Sequence, residues 1–297
     1  REGTTGTDSD NNLVFFAFNR DKTLTNFLAQ GDLQLIFGDL GFFILVLLFG
    51  CEDKAELKQH NDPAKYSLAK DILWASPQGF DLTMDIYTPK SNKPTYPVIV
   101  MFHGGGFLLN DKSIMDQAAA YLATNSEYVV CNVDYRLLSD NDNTTTLDEI
   151  VGDAFGAVLW VKENIASYRG DSGRIAVTGD SAGGHLSAMI INLGSKISSQ
   201  GFSQDSFRFL PSHLPEGESA EDVKARGGME VQAAILSYPY DFYEGVIRGF
   251  ENATNPLWLV NGAMGRGVFG DQFNVHDHSA MYRAVSPKDN IPSSSER

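Results

Sequence analysis

Residues 174–186 read RIAVTGDSAGGHL, and the predicted fold class follows from this stretch. The apolar run 174–178 predicts a buried β-strand, and the apolar residues after Ser181 predict a helix, so the serine lies on the turn between them. A strand-to-helix turn this tight needs small residues two positions either side of the serine, which are Gly179 and Gly183. The pattern therefore predicts an exposed serine in front of a helix N-terminus, which favours negative charge.

A second glycine-rich motif, His103-Gly104-Gly105-Gly106-Phe107, directly follows the apolar run 96–102. Glycines at this place let backbone N–H groups approach an oxygen that becomes negative during acyl transfer. Gly104, Gly105 and Ala182 are the predicted donors of an oxyanion hole. His103 is expected to hold the loop rather than to act as a base.

Strand and helix patterns alternate through the rest of the chain. The apolar runs 128–133 and 231–236 predict further strands of a parallel sheet. Residues 80–87 alternate apolar and polar positions, as a half-buried edge strand does, and a hairpin turn is predicted at 77–79. Residues 147–165 place apolar side chains at spacings of three and four, which predicts a helix covering the sheet. The predicted class is α/β, with a mostly parallel central sheet flanked by helices.

The two motifs resemble those of the α/β-hydrolases, in the branch of hormone-sensitive-lipase-like and bacterial acetyl- or feruloyl-esterases. The resemblance runs from about Asp71 to the end, through HGGGF, the strand end 132–137 and GDSAGGHL. It implies the α/β-hydrolase fold and a serine carboxylic-ester hydrolase acting on small acyl esters, with no cofactor. In that chemistry Ser181 attacks the acyl carbon, a histidine takes its proton, and water later releases the acyl group.

The acid and base of such a triad are not evident in the sequence. They follow the nucleophile in the order Asp or Glu, then His, and the family pattern places both beyond a segment like 284–287, ten residues before Arg297. We therefore expect the last strands of the sheet to be missing and the sequence to be a fragment of a longer reading frame.

A rearranged triad is the alternative for proton transfer. Asp241 follows the predicted strand 231–236, and His276 or His278 comes after it in the required order. His185, one helical turn after Ser181, is expected to pack beneath the turn rather than serve as base. No metal site is predicted, because His276 and His278 have no third clustered ligand.

The N-terminal part predicts a targeting signal. Residues 42–49, FFILVLLF, match the h-region of a secretory signal but are too short to span a bilayer. The run ends in Leu48-Phe49-Gly50-Cys51, which resembles a bacterial lipobox, although positive charge upstream is sparse. The expectation is an extracytoplasmic protein with a membrane tether through lipidated Cys51; the alternative is a buried apolar helix with a free Cys51.

The predicted organisation assigns residues 1–50 to upstream sequence and the signal segment, and residues 51–70 to a linker. Residues 71–297 form the α/β-hydrolase domain, with an insertion at about 195–228 that is rich in Ser, Gly, Pro and charge.

Composition limits the partners. Across 297 residues the formal net charge is −15, which repels phosphate backbones and makes nucleic acid an unfavourable partner. No P-loop or G-x-G-x-x-G fingerprint follows a strand. A small ester is the expected partner, and the oligomeric state is open. An amidase or formamidase of the same fold remains an alternative, as does a non-catalytic hydrolase-like binding protein or inactive fragment.

Overall fold

The computed structural model describes residues 62–292, whose centre is a six-stranded sheet in the order β1-β2-β4-β3-β5-β6. The predictions for residues 1–50 and for Cys51 lie outside the described residues. The strands are β1 (Tyr66–Ala75), β2 (Leu82–Pro89), β3 (Tyr96–Phe102), β4 (Val129–Val133), β5 (Gly170–Asp180) and β6 (Ala233–Ser237).

Eight helices connect or follow these strands in the described part of the chain. They are α1 (Asp116–Asn125), α2 (Asp140–Asn143), α3 (Leu147–Asn164), α4 (Ala182–Leu193), α5 (Ala220–Ala225), α6 (Phe242–Ile247), α7 (Pro256–Val260) and α8 (Ser279–Ala284). Short 3-10 turns lie at Pro77–Gly79, Lys112–Met115, Ile165–Tyr168 and Pro287–Asn290. Between residues 62 and 292, no helix combines the length and apolarity needed to cross a bilayer.

The sheet is parallel from β4 through β3 and β5 to β6, and antiparallel at β1 and β2. The predicted α/β class is therefore confirmed. No strand follows β6 within residues 62–292, so β6 forms one edge of the sheet, as expected if the last strands are missing.

The first two strands correct two expectations. The stretch predicted as a half-buried edge strand corresponds to β2, which instead pairs with β1 on one side and β4 on the other and is almost wholly buried. The edge is β1, which begins at Tyr66, inside the stretch expected to be linker. Because polar side chains of this strand, such as Ser67 and Lys70, are exposed, its sequence resembles that of a linker.

The sheet buries side chains on both faces. Along β3, Val98, Val100 and Phe102 pack with the helices α3 and α4, while Ile99 and Met101 pack with α1 on the other face. This explains why β3 is an unbroken apolar run rather than an alternating one. The predicted helix over residues 147–165 is confirmed as α3, which begins with a capping box formed by Thr146 and Glu149.

The segment predicted as an insertion packs along α3. A Cβ on Gly152 would lie 2.4 Å from the carbonyl oxygen of Leu210, and one on Gly156 would lie 2.6 Å from the backbone nitrogen of His213. Further along, Ser212 donates to Asp153, whose carboxylate also binds Arg136. The two glycines are thus required for the close approach of this segment to the helix.

Candidate active site

The register between β3 and β5 brings the two glycine-rich motifs together. Phe102, at the end of β3, pairs with Gly179, near the end of β5. Both strands are parallel, so the residues that follow them leave the sheet at the same edge. As a result, the loop starting at His103 and the turn at Ser181 lie side by side.

Ser181 occupies a sharp turn between β5 and α4. Its backbone has φ 50° and ψ −111°, a conformation that L residues rarely adopt. The turn is held from both sides: the Ser181 N–H donates to the carbonyl oxygen of Ser237 at 3.0 Å, and the His185 N–H donates to the Ser181 carbonyl at 2.9 Å. Strain of this kind persists only where the surroundings enforce it, and it is common at functional sites.

Glycines make this turn possible. A Cβ on Gly183 would lie 2.0 Å from the Phe102 carbonyl oxygen, and one on Gly179 would lie 2.4 Å from the backbone of Gly183. Neither position has room for a side chain. The spacing that the sequence pattern singled out is therefore a packing requirement between the ends of β3 and β5 and the start of α4.

The loop after β3 lies against the residue that precedes the serine. A Cβ on Gly104 would lie 2.4 Å from the Asp180 carboxylate, and Gly105 has φ 138° with the Leu109 carbonyl beside it. The loop curls on itself, because the N–H groups of Leu108 and Leu109 both donate to the Gly105 carbonyl. Ala182 is buried in the first turn of α4, where N–H groups have no acceptor within the helix.

His103 supports this loop. Its ring is buried, stacks on Tyr135 with 4.3 Å between ring centroids, and places Nδ1 2.9 Å from the Gly104 carbonyl oxygen. The Tyr135 hydroxyl donates to the His103 carbonyl at 2.6 Å. Burial lowers the pKa of the His103 imidazole, so the ring is neutral at physiological pH. These contacts fit the predicted role of holding the loop.

His185 lies beneath the turn. Its ring is fully buried and meets Phe107 and Phe242 edge-on, with centroids 5.1 and 5.8 Å away. Nδ1 is 3.4 Å from the Tyr240 carbonyl oxygen, and Nε2 has no hydrogen-bond partner in the described structure. Burial lowers the pKa of His185 to about 4. The ring therefore packs as an uncharged core side chain.

Comparison with known proteins agrees with this geometry. Residues 84–215 match the family model described as BD-FAE. Carboxylesterase NlhH of Mycobacterium tuberculosis is 38% identical over 113 residues, which are 38% of this chain and 34% of that protein. Esterase LipI of the same organism is 37% identical over 107 residues, or 35% of this chain and 32% of that protein.

The chain is similar to the BD-FAE family over residues 84–215, which are less than half of its length. Its match spans about a third of the length of these curated relatives. Among solved structures, the apo form of Thermogutta terrifontis esterase 2 is 22% identical, with a TM-score of 0.49, and the alignment covers 78% of this chain and 69% of that one.

The candidates for a rearranged triad are not joined to one another by hydrogen bonds in the described structure. Asp241 occupies the N-cap position of α6 without a capping hydrogen bond from its side chain, and its Oδ2 accepts from Lys288 Nζ at 2.7 Å. His276 is exposed, and His278 places its ring edge-on to Phe273 at 5.0 Å. Within residues 62–292, neither histidine is hydrogen-bonded to Asp241 or to Ser181, and no imidazole is hydrogen-bonded to the Ser181 hydroxyl. No group of three or more His, Cys, Asp or Glu suited to a metal occurs in that range.

The structure adds residues that the sequence pattern did not single out. Asn110, at φ 75°, donates from Nδ2 to the Gly104 carbonyl at 3.0 Å and so closes the loop. Tyr238 donates its hydroxyl to Asp180 Oδ2 at 3.3 Å, while Asp180 Oδ1 is buried without a partner. The sequence offered a signal for Asn110, since asparagine tolerates left-handed backbone at a loop end. It offered no signal for the contact between Asp180 and Tyr238, which are 58 positions apart.

Proposed function

We propose that this α/β-hydrolase domain serves as a serine carboxylic-ester hydrolase acting on small acyl esters. One observation carries the proposal: Ser181 stands at a strained strand-to-helix turn, directly beside a glycine loop whose N–H groups can face the same point. The names of the matched proteins, carboxylesterase and esterase, support ester rather than amide substrates.

In the proposed reaction Ser181 Oγ attacks the acyl carbon as its proton passes to a water molecule, and a tetrahedral intermediate with a negative oxygen forms. Cleavage of the ester C–O bond then releases the alcohol, which takes up a proton, and water hydrolyses the acyl-enzyme and restores the Ser181 hydroxyl. The N–H groups of Gly104, Gly105 and Ala182 stabilise the negative oxygen of the intermediate, and the start of α4 adds its positive dipole end. Since these donors are fixed by packing, they need little reorganisation as charge develops. Removing a single donor of this type costs other enzymes about 10²–10³ in rate.

The location belongs to the proposal as well. We propose an extracytoplasmic protein tethered through Cys51, supported by the apolar run 42–49 and the lipobox-like end of that run. Metabolic labelling with a tagged fatty acid tests this, because a Cys51→Ser variant should lose the label. Label that persists in the variant contradicts the tether.

Hydrolysis of p-nitrophenyl acetate by wild type and Ser181→Ala tests the ester chemistry. This ester has a good leaving group, so the assay depends little on proton donation to it. We expect Ser181→Ala to abolish the turnover above the uncatalysed rate, because the nucleophile is gone.

Ser187→Ala is the matched control, since Ser187 lies on the same helix and its buried hydroxyl has no partner in the described structure. It should keep the wild-type rate. Equal turnover by wild type and Ser181→Ala, in samples with the same circular dichroism spectrum, contradicts the proposal. A matched anilide substrate that turns over faster than the ester would favour the amidase.

A further inference from the structure

A cavity of about 440 Å³ lies at the end of α4 opposite Ser181. Its lining residues are Ser195, Lys196, Asp205, Ser206, Phe207, Arg208 and Lys224. Because α4 has 12 residues, its two ends are about 18 Å apart. The cavity is therefore separate from the candidate active site.

Positive charge is concentrated at this cavity. Lys196, Arg208 and Lys224 line it together with a single acid, Asp205, which leaves a local charge of +2. The chain as a whole carries −15. The charge of the cavity is therefore opposite in sign to the net charge of the chain.

The three cationic side chains have no protein partner. No ion pair or side-chain hydrogen bond is formed by Lys196, Arg208 or Lys224 anywhere in residues 62–292. Their neighbours differ, since Arg226 pairs with Glu218 at 2.7 Å and Arg283 pairs with Asp289 at 2.5 Å. Like charges that face one cavity repel each other, and an anion between them removes that repulsion.

The walls of the cavity are held in place by backbone pairing. The Phe209 N–H donates to the Lys196 carbonyl and the Ser198 N–H donates to the Phe209 carbonyl, both at 2.9 Å. This pairing sets Lys196 and Arg208 on adjacent stretches of chain.

Aromatic packing anchors the same walls. Phe202 contacts Phe207 and Phe209 with centroids 5.6 and 5.4 Å away, and it stacks on Phe269 at 5.4 Å. The backbone of walls held in this way loses little conformational entropy when a ligand binds.

A second cavity continues from the first. It has a volume of about 310 Å³ and shares Lys196 and Phe207 with its neighbour. Its remaining lining mixes apolar and polar side chains: Leu193, Ala280, Arg283, Ala284, Asp289 and Asn290. Together the two cavities offer a cationic compartment and an adjoining, less charged one.

We propose that the first cavity binds the phosphate group of a small organic phosphate monoester, whose organic part lies over Phe207 in the second cavity. A doubly charged tetrahedral anion matches the +2 surplus, which a single carboxylate would not. The hydroxyls of Ser195 and Ser206 offer further donors to its oxygens. This site is independent of the ester hydrolysis proposed for Ser181.

Isothermal titration calorimetry with inorganic phosphate and with glucose 6-phosphate tests the site. The variant Lys196→Gln/Arg208→Gln should lose about tenfold or more in affinity for both, because charge-assisted hydrogen bonds are removed. The matched control is Lys65→Gln/Lys90→Gln, which removes the same charge from two exposed lysines without an ion pair in the described structure. The control should change affinity by less than about twofold.

The ligand series distinguishes the sources of the anion. Tighter binding of glucose 6-phosphate than of inorganic phosphate supports a role for the second cavity. Flotation with phosphatidylcholine vesicles, with and without phosphatidylglycerol, tests a lipid headgroup; binding to anionic vesicles alone overturns the small-ester proposal.

Three further results bear on the site. Absence of saturable heat with both phosphates overturns it, and so does an equal loss of affinity in the two double variants. Ser181→Ala should bind with wild-type affinity, which separates this test from that of the hydrolase.

Discussion

The two sides of Ser181 are built differently. On the β3 side, the loop 103–110 and the turn are packed so closely that Gly104 and Gly183 have no room for a Cβ. On the β6 side, Tyr238 is 71% exposed and Asp241 contacts a lysine rather than a histidine. The comparison shows that Ser181 and the predicted oxyanion donors are fixed by the packing of the central strands. Within the described residues, that packing does not position a proton-transferring side chain at Ser181.

One added methyl group at the packed turn, and one at an open position, should have very different effects on stability. Gly183→Ala forces a Cβ against the Phe102 carbonyl at 2.0 Å, and we expect a loss of about 5 kcal/mol or failure to fold. Gly262→Ala changes an open position, at φ 68° with nothing within 4 Å, and should cost only about 1 kcal/mol for its backbone conformation. Urea denaturation measures both. Similar costs for the two variants would contradict the contrast.

Ion pairs offer a second comparison. The Arg136 guanidinium binds the fully buried Asp153 carboxylate at 2.8 Å, so Arg136→Met leaves an unpaired buried charge and should cost about 3–5 kcal/mol. Lys288→Met breaks the exposed pair with Asp241, and its unfolding midpoint should match that of wild type. Thermal unfolding followed by circular dichroism measures both midpoints. A larger fall in the unfolding midpoint for Lys288→Met than for Arg136→Met would contradict this difference between the buried and the exposed pair.

The pH dependence of the free energy of unfolding tests whether His185 is uncharged in the folded protein. Its pKa falls to about 4 in the folded protein, against about 6.5 in an unfolded chain. The unfolded state therefore binds the proton more readily, so stability present above pH 6.5 is lost as the pH falls toward 4, by up to about 3 kcal/mol.

A His185→Leu variant should lose this part of the acid sensitivity and keep the rest. The measurement is urea denaturation of both proteins at a series of pH values from 7 to 4. The difference in free energy of unfolding between them should change across that range. A constant difference would mean that His185 does not titrate on unfolding.

The sequence was sufficient where structure is local. The strand 96–102 is predicted with the bounds of β3, and α3 is predicted to within one residue at its end, because both are long and bury a regular face. The motif around Ser181 also specified its own turn, since its glycines are needed within five residues of each other. Edge placement was not predictable in the same way: β2 differs from a half-buried edge strand only through β1, whose exposed residues resemble a linker.

The rest of the site depends on contacts between distant parts of the chain. Asn261 donates to the Leu108 carbonyl at 2.8 Å, 153 positions away. Arg266 donates from Nη2 to the Leu138 carbonyl at 2.8 Å, 128 positions away. No periodicity or motif encodes such pairs, because they follow from how separately folded segments meet. The sequence could therefore predict the turn at Ser181 and the glycine loop beside it, but not the side chains that surround them.

The hydrogen bond from the Ser181 N–H to the Ser237 carbonyl links the strained turn to the end of β6. Ser237 is the last residue of β6, which has a neighbour on one side only within the described sheet. A displacement of the end of β6 would therefore break one of the two backbone hydrogen bonds that hold the turn. The strained backbone of Ser181 thus depends on the position of β6, and whatever holds the end of that strand in place also holds Ser181.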